Sequence, residues 1–480
     1  MSTTDRKFEG LGLDQSSQLE KQDALDWDGP DDPANPLNWS QAKKNMHVIF
    51  VSVFTLYANL AATMFAPGAE QLISEFHITN STIEAMTVSI YVLGFAVGPL
   101  ILAPLSELYG RLVIYHICNL FYFAFTAGCA FSTNVSMFLV FRFICGCAAS
   151  GPMSIGGGTV ADVTLPEERG KAMALFAVGP LLGPVIGPVI GGFVAETIGW
   201  RWTFRIILIM SGVFSIISLI FLRETNAKVL LQRKAANMPE RSTTVATPLD
   251  SESPGKMLRG AIIRPVKMLI FSPIVLLISL YSGTLFGVIF LLFTTLPTLF
   301  ESQYHFKVGV AGLAYLGLGL GMIIGLVLFA ILSDKLLGQK RGGTVNRPEE
   351  RLILMKWFAP ITPVGCFIYG WSAYYHVHWM VPIVGTFVIG LGALFIVMPA
   401  QVYLVDCFGA EAAASALAAN LVVRSPFGAF LALAASPLYG KLGLGWGNSV
   451  LGFICLAFTP VPWLFYRYGE YLRTRFTITL

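Results

Sequence analysis

The sequence predicts an all-α polytopic membrane protein, with twelve transmembrane helices in two pseudo-symmetric six-helix bundles. Three observations carry that prediction. Of 480 residues, 55% are hydrophobic and only 12% charged, about half the charged share of a soluble globular chain, and mean hydropathy is +0.67. The apolar residues fall in runs of 18 or more separated by short polar stretches, and a helix needs about 20 such residues to cross the hydrocarbon core. The longest polar interruption, 223–267, divides these runs six and six.

The elements follow in order. Residues 1–44 are polar, acidic and rich in Asp and Pro. They lack the apolar stretch of a signal peptide and read as a disordered tail, with Asn35-Pro36-Leu37-Asn38-Trp39 approaching the membrane surface. Spans 1 to 6 are placed at 46–66, 83–104, 112–132, 136–158, 171–195 and 203–222, forming a first bundle over 45–222. The middle of the 223–267 linker, NMPERSTTVATPLDSESPGK, is poor in hydrophobics and reads as flexible chain, with Ser242 to Thr244 unmodified. Spans 7 to 12 are placed at 268–297, 309–332, 354–373, 380–404, 412–436 and 448–466, forming a second bundle over 268–466 before a short tail, 467–480. Seven cysteines (118, 129, 145, 147, 366, 407, 455) lie in or beside the runs at no zinc spacing and read as small packing residues.

An even span number puts both termini on one side. If that side is the cytoplasm, 26 of the 32 Lys and Arg lie inside and four (Arg201, Arg205, Lys307, Lys441) outside, while Arg142 and Arg424 fall within spans. Positive charge favours the cytoplasmic face, so this asymmetry sets the orientation. Trp200, Trp202, Trp379, Trp446 and Trp463 sit at span ends, as interfacial anchors do.

The halves also echo each other. Leu105-Ser106-Glu107 with Gly110-Arg111 follows span 2, and Leu332-Ser333-Asp334 with Gly338 and Lys340 follows span 8. Ala161-Asp162 closes span 4 and Val405-Asp406 closes span 10. Two matches in equivalent places argue for internal duplication, the common build of secondary transporters.

On APLSELYGR (103–111), FRFICG (141–146), GPLLGPVIGPVIGG (179–192), GWRWTF (199–204), YLVDCFGAEAAASALAANLVVRS (403–425) and FYRYGEYLR (465–473), the chain resembles the major facilitator superfamily, and more narrowly its fungal drug:proton antiporter branch with twelve spans. The resemblance covers about 36–475. It implies a fold of two six-helix bundles and proton-coupled efflux of drugs, toxins or secondary metabolites. Residues 179–192 resemble the antiporter motif of span 5. They hold Gly179, Gly183, Gly187 and Gly191 at four-residue spacing, with Gly192 and with Pro180, Pro184 and Pro188. Small residues at that spacing let membrane helices approach closely, and neighbours can satisfy the carbonyls that proline frees. A closely packed, kinked pivot between conformations is the functional expectation.

Charge inside a span is costly and marks substrate or ion paths. Arg142 and Arg424 qualify, and no Asp or Glu lies in the middle third of any span. Arg142 matches the family's span-4 arginine, which implies a part in proton coupling; the family's glutamine three residues on is Cys145 here. Two arginines without a central carboxylate favour an anionic cargo. Glu84, at the start of span 2, is the expected proton carrier, with Asp162 second. Glu107, Gly110, Arg111 and Asp162, with Asp334 and Asp406 in the second half, resemble the family's inner-face latch. Asn59, Tyr281, Tyr315 and Asn420 are expected cargo contacts.

Other signals carry no function. There is no GxxxxGK[ST], so nothing supports ATP drive. Gly156-Gly157-Gly158-Thr159-Val160-Ala161 lies inside a span and reads as packing, and His376-Val377-His378 reads as an interface patch beside Trp379. Asn80 and Asn134 spell glycosylation acceptors but hug the membrane, so little or no sugar is expected. No nucleophile–base set or metal-ligand cluster appears, so the chain is not expected to be an enzyme or to hold a cofactor or metal. The reading is a monomeric exporter whose partners are a small-molecule substrate, protons and the lipid bilayer, with no nucleic acid. It sits in the plasma membrane, or alternatively the vacuolar membrane. Import of a small polar solute by proton symport, and a non-transporting nutrient sensor, are the alternatives.

Overall fold

A computed structural model describes residues 27–165, 169–236, 254–338 and 347–475. The acidic tail before residue 27, the middle of the linker and Lys340 lie outside the described residues, as does the side chain of Asp334.

Helix is the sole regular structure among the described residues, as expected where backbone groups must be satisfied within each segment. Ten predicted runs have a helical counterpart each: Gln41–Glu75, Ser81–Tyr109, Arg111–Ala130, Val135–Val163, Leu175–Ile198, Arg201–Phe221, Pro273–Ser302, Val308–Ser333, Pro348–Tyr374 and Met380–Phe408. An eleventh segment, Ser415–Arg475, is 61 residues long and takes in the runs read as spans 11 and 12. A straight helix of that length would reach about 90 Å, three times the hydrocarbon thickness. It turns instead at Gly443, whose φ of +71° suits glycine. Tyr439 then donates back to Asn448 Oδ1 at 3.0 Å across the turn.

Helix boundaries follow local chemistry. Asn80 and Asn134 cap spans 2 and 4, each side chain accepting a first-turn N–H (Thr82 N at 2.9 Å, Met137 N at 2.9 Å). Span 1 continues past Met64 through a 3-10 turn, Ala66–Gly68, into Ala69–Glu75, an extension the hydropathy does not announce. The flanks of the central polar stretch are helical, at Ala227–Ala236 and Pro254–Phe271.

Two large apolar cores stand out among the described residues, beside a small cluster of Val48, Val160 and Val163. One gathers Val51, Phe54, Tyr57, Phe65, Tyr91, Phe138 and Phe204 from spans 1 to 6. The other gathers Ile278, Tyr281, Phe293, Tyr315, Tyr369 and Tyr403 from spans 7 to 12, with Val92 of span 2 reaching into it. Lipid-facing surfaces stay apolar and exposed, as at Leu120, Ile216, Leu219 and Ile270.

Candidate transport site

The glycine stripe of span 5 meets span 1. A side chain on Gly183 would stand 2.7 Å from Asn59 Cβ, and one on Gly187 would stand 2.5 Å from Thr63 Oγ1; Gly179 and Gly191 abut Ser52 O and Met64 O. Pro180, Pro184 and Pro188 lie inside a continuous helix, Arg169–Ile198. Pro180 has no N–H for the Phe176 carbonyl four residues back, and the Ser52 hydroxyl, which donates to Leu175 O at 3.0 Å, lies 3.3 Å from that oxygen. The other face of span 5 meets span 8 across the two halves. Gly312 lies against Pro188 O, Gly192 against Val308 O, and Glu196 Oε2 accepts from Gly309 N at 2.7 Å. Span 5 therefore joins its own half tightly and touches the other.

The two intramembrane arginines differ. Arg142 is 1% exposed. Its Nη1 donates to Ala61 O at 2.9 Å and its Nη2 to Ala62 O at 3.4 Å. Its guanidinium lies 4.6 Å from the Tyr91 ring centre, a favourable cation–π placement. Arg424 is 9% exposed and rests 4.9 Å from the Phe286 ring centre. No hydrogen bond or ion pair reaches its guanidinium among the described residues, and its Nε, like that of Arg142, is buried without a partner.

A cavity of 840 Å³ opens between the halves on the face opposite the basic loops. Glu70, Glu84 and Val88 line it from the first half, and Thr294, Gln303, His376, Ala432 and Tyr439 are among those from the second. Glu84 is the one predicted site residue among the described lining residues. None of the other expected cargo contacts lines the cavity among the described residues. Asn59 Nδ2 donates to Thr55 O at 2.8 Å, Tyr315 donates to Phe293 O at 2.6 Å, and Tyr281 stacks on Phe458 at 5.4 Å. Asn420 Nδ2 makes one long contact, 3.5 Å, to Ser279 Oγ.

The basic face carries a polar network. Arg111 Nε donates to Asp162 Oδ2 at 3.3 Å and its Nη1 to Ser106 Oγ at 2.7 Å; Thr225 also donates to Asp162 at 3.3 Å. Glu224, which no sequence motif marks, anchors it. Its carboxylate, 5% exposed, accepts from the backbone N–H groups of Arg111 (2.9 Å), Leu112 (3.2 Å), Thr225 (3.0 Å) and Asn226 (2.9 Å). A carboxylate at the start of span 3 suits the positive end of that helix. It also fills the space beside Gly110, whose φ is +101°. Glu107 is exposed. In the second half Asp406 pairs with Arg351 at 2.8 Å, another residue sequence reasoning missed. The pairs Arg111–Asp162 and Arg351–Asp406 occupy equivalent places.

On the same face Lys234 clasps the segment before span 1, at 2.8 Å from Asp28 and 2.9 Å from Asp32. The Lys234 ammonium, with the N–H groups of Ala34 and Asp28, holds the Asp32 carboxyl down to about 2. The two carboxylates in turn raise Lys234 above the usual lysine range.

Membrane-length helices, buried intramembrane cations and a cavity between the halves fit a polytopic membrane transporter. The chain belongs to the Major Facilitator Superfamily, whose sequence profile matches residues 49–433. It is 70% identical over 486 aligned residues to the MFS-type transporter MFS19 of Alternaria alternata, covering 100% of this chain and 99% of the relative. It is 71% identical to the MFS transporter fsa7 of Fusarium sp. (strain FN080326), over 95% of this chain and 90% of the relative. The trichosetin biosynthesis cluster MFS transporter of Gibberella fujikuroi is 64% identical over the same shares. Among solved structures, a D-xylose-proton symporter superposes with a TM-score of 0.68 at 16% identity, covering 87% of this chain and 97% of the symporter. At that identity the likeness speaks for the fold alone, and a transporter rather than an enzyme is what family and relatives share.

Proposed function

We propose that the chain is a proton-coupled exporter of a small organic molecule of the drug, toxin or secondary-metabolite kind, working by alternating access between its two halves. The observation that carries the reading is the cavity between the halves, with Glu70 and Glu84 at its rim and an intramembrane arginine further along the same helices. Carboxylates on the outer side are suited to take up protons while cargo leaves. The charge asymmetry of the loops supports cytoplasmic termini, and the plasma membrane is the fitting location for export. A relative named for a biosynthesis cluster supports a secondary metabolite as cargo, and two arginines without carboxylate partners favour an acidic one. The Arg111–Asp162 and Arg351–Asp406 pairs act as breakable clasps on the cytoplasmic side. Domain bounds at 45–222 and 268–466 and a monomeric state belong to the same reading.

The test is uptake into inside-out membrane vesicles from cells expressing the chain, with an acid-inside gradient and a panel of acidic, neutral and cationic compounds. Gradient-driven accumulation absent from control vesicles is expected. Accumulation only under the reversed gradient would mean import, and no accumulation of any compound would mean a sensor.

A further inference from the structure

We propose that Arg424 is the anion-reading subsite of the cargo path, taking the ionised head of an amphipathic organic acid whose apolar body lies against Phe286. This rests on the export reading and assigns its cargo site and cargo chemistry. The contrast with Arg142 is the starting point. Both arginines are buried within spans, but Arg142 directs Nη1 and Nη2 at two backbone carbonyls and its face at a tyrosine, with its Nε unpartnered. Arg424 has five N–H groups and no protein acceptor for them among the described residues. A membrane-embedded guanidinium left in that condition is costly. An acceptor brought by the cargo offsets the cost, and a planar guanidinium matches carboxylate-like anions with two parallel hydrogen bonds.

Position supports the assignment. The cavity ends at Val88, Thr294 and Ala432. Along the same three helices Val92 lies one turn further in, and Phe286 and Arg424 lie two turns further in, about 6, 12 and 12 Å at 1.5 Å per residue. Between cavity and arginine stands a layer in which Gly428 is pressed against Phe286 and Val92, with a side chain there only 2.9 Å and 3.2 Å from them. Cargo bound at Arg424 must pass that apolar layer to reach the cavity, so a purely polar ion is disfavoured and an amphipathic one is suited. Asn420, one turn away and holding only the long contact to Ser279, provides a second donor. Beyond the layer Glu70 and Glu84 line the cavity, and as carboxylates they oppose re-entry of an anion from outside.

The test uses full-length purified protein and matched probes: 2-naphthoate and 2-naphthalenesulfonate as anions, and 2-naphthamide as the neutral counterpart. Binding is read from thermal unfolding. The anions are expected to raise the unfolding temperature while the amide does not. Arg424→Gln should weaken the anion response at least tenfold, Arg424→Lys less, and Phe286→Ala should weaken it with the anion preference kept. Without ligand, Arg424→Gln should be at least as stable as wild type, because it removes an uncompensated buried charge. Equal response to acid and amide, no response to either anion, or an undiminished preference in Arg424→Gln overturns the proposal. If Arg424→Gln does not fold, Arg424→Lys decides by the same comparison. Vesicle flux separates the two readings: proton-driven transport equal in wild type and Arg424→Gln sinks the subsite and leaves the exporter, while anion binding at Arg424 without flux does the reverse.

Discussion

Replacing Gly183 by alanine tests the packing of span 5 on span 1. The new Cβ would stand 2.7 Å from Asn59 Cβ, 2.8 Å from Leu60 N and 2.9 Å from Leu56 O, all on span 1. Carbon atoms rest about 3.5–4.0 Å apart, so the helices must part by about 1 Å. Overfilling a close-packed contact costs about 1–3 kcal/mol, while exchanging glycine for alanine inside a helix returns up to about 1 kcal/mol. Gly157 supplies the control: it also lies inside a helix, Val135–Val163, and a methyl group there would meet nothing within 4 Å. Gly157→Ala therefore carries the propensity gain alone, and the difference between the variants isolates the packing contribution, about 1–3 kcal/mol. Thermal unfolding of the purified proteins in detergent reads that difference. Gly157→Ala should unfold at or above the wild-type temperature and Gly183→Ala below it. Coincident curves would refute the explanation of why span 5 repeats glycine at four-residue spacing.

Three further outcomes are expected. Glu224→Ala strands four backbone N–H groups at the start of span 3 and in the loop after span 6, and should lower stability by about 2–4 kcal/mol in the same assay, with Glu224→Gln milder. The Asp32–Lys234 clasp should respond to acid: because the carboxyl is held at about 2 against an ordinary 3.8, its contribution is complete above about pH 4 and is lost as pH falls toward 2. The raised Lys234 is the opposite case, contributing below the ordinary lysine range and losing that contribution only at pH above it. Amide exchange at Ala34, corrected for its intrinsic pH dependence, should therefore quicken below pH 4 in wild type and be quick at neutral pH in Asp32→Asn. Gly312→Leu should wedge span 8 from Pro188 of span 5, and labelling of a cysteine placed at position 189 should then quicken.

Much of this architecture is legible without coordinates because a bilayer leaves few options. Runs long enough to cross it must be helices, and they could be counted. The turn between spans 11 and 12 shows the limit. Residues 437–447 carry one charge, Lys441, and the helical segment bends there on Gly443 rather than on a polar loop. The stripe of Gly179, Gly183, Gly187 and Gly191 announced a close neighbour through its period, but nothing in that period names span 1. The depth of Arg142 and Arg424 was equally plain, yet only the fold separates an arginine held by Ala61 and Ala62 carbonyls from one lying on Phe286 alone. Glu224 and Arg351 stayed hidden for the same reason. Each lies in a polar loop where a charge is ordinary, and its partners come from segments distant in the chain, Arg111 and Asp406. Acid spacing could suggest Asp162 and Asp406 as equivalent, but not which cation each would meet.

The sign of proton coupling decides whether this transporter exports, and it is measurable. Purified protein is reconstituted into sealed vesicles holding a trapped pH dye and an organic acid found to bind, with the outside buffer made acidic. The acid should leave as protons enter, each movement depending on the other, and both should stop without the protein. Acid and protons moving in the same direction, or acid efflux indifferent to the proton gradient, would contradict proton-driven export.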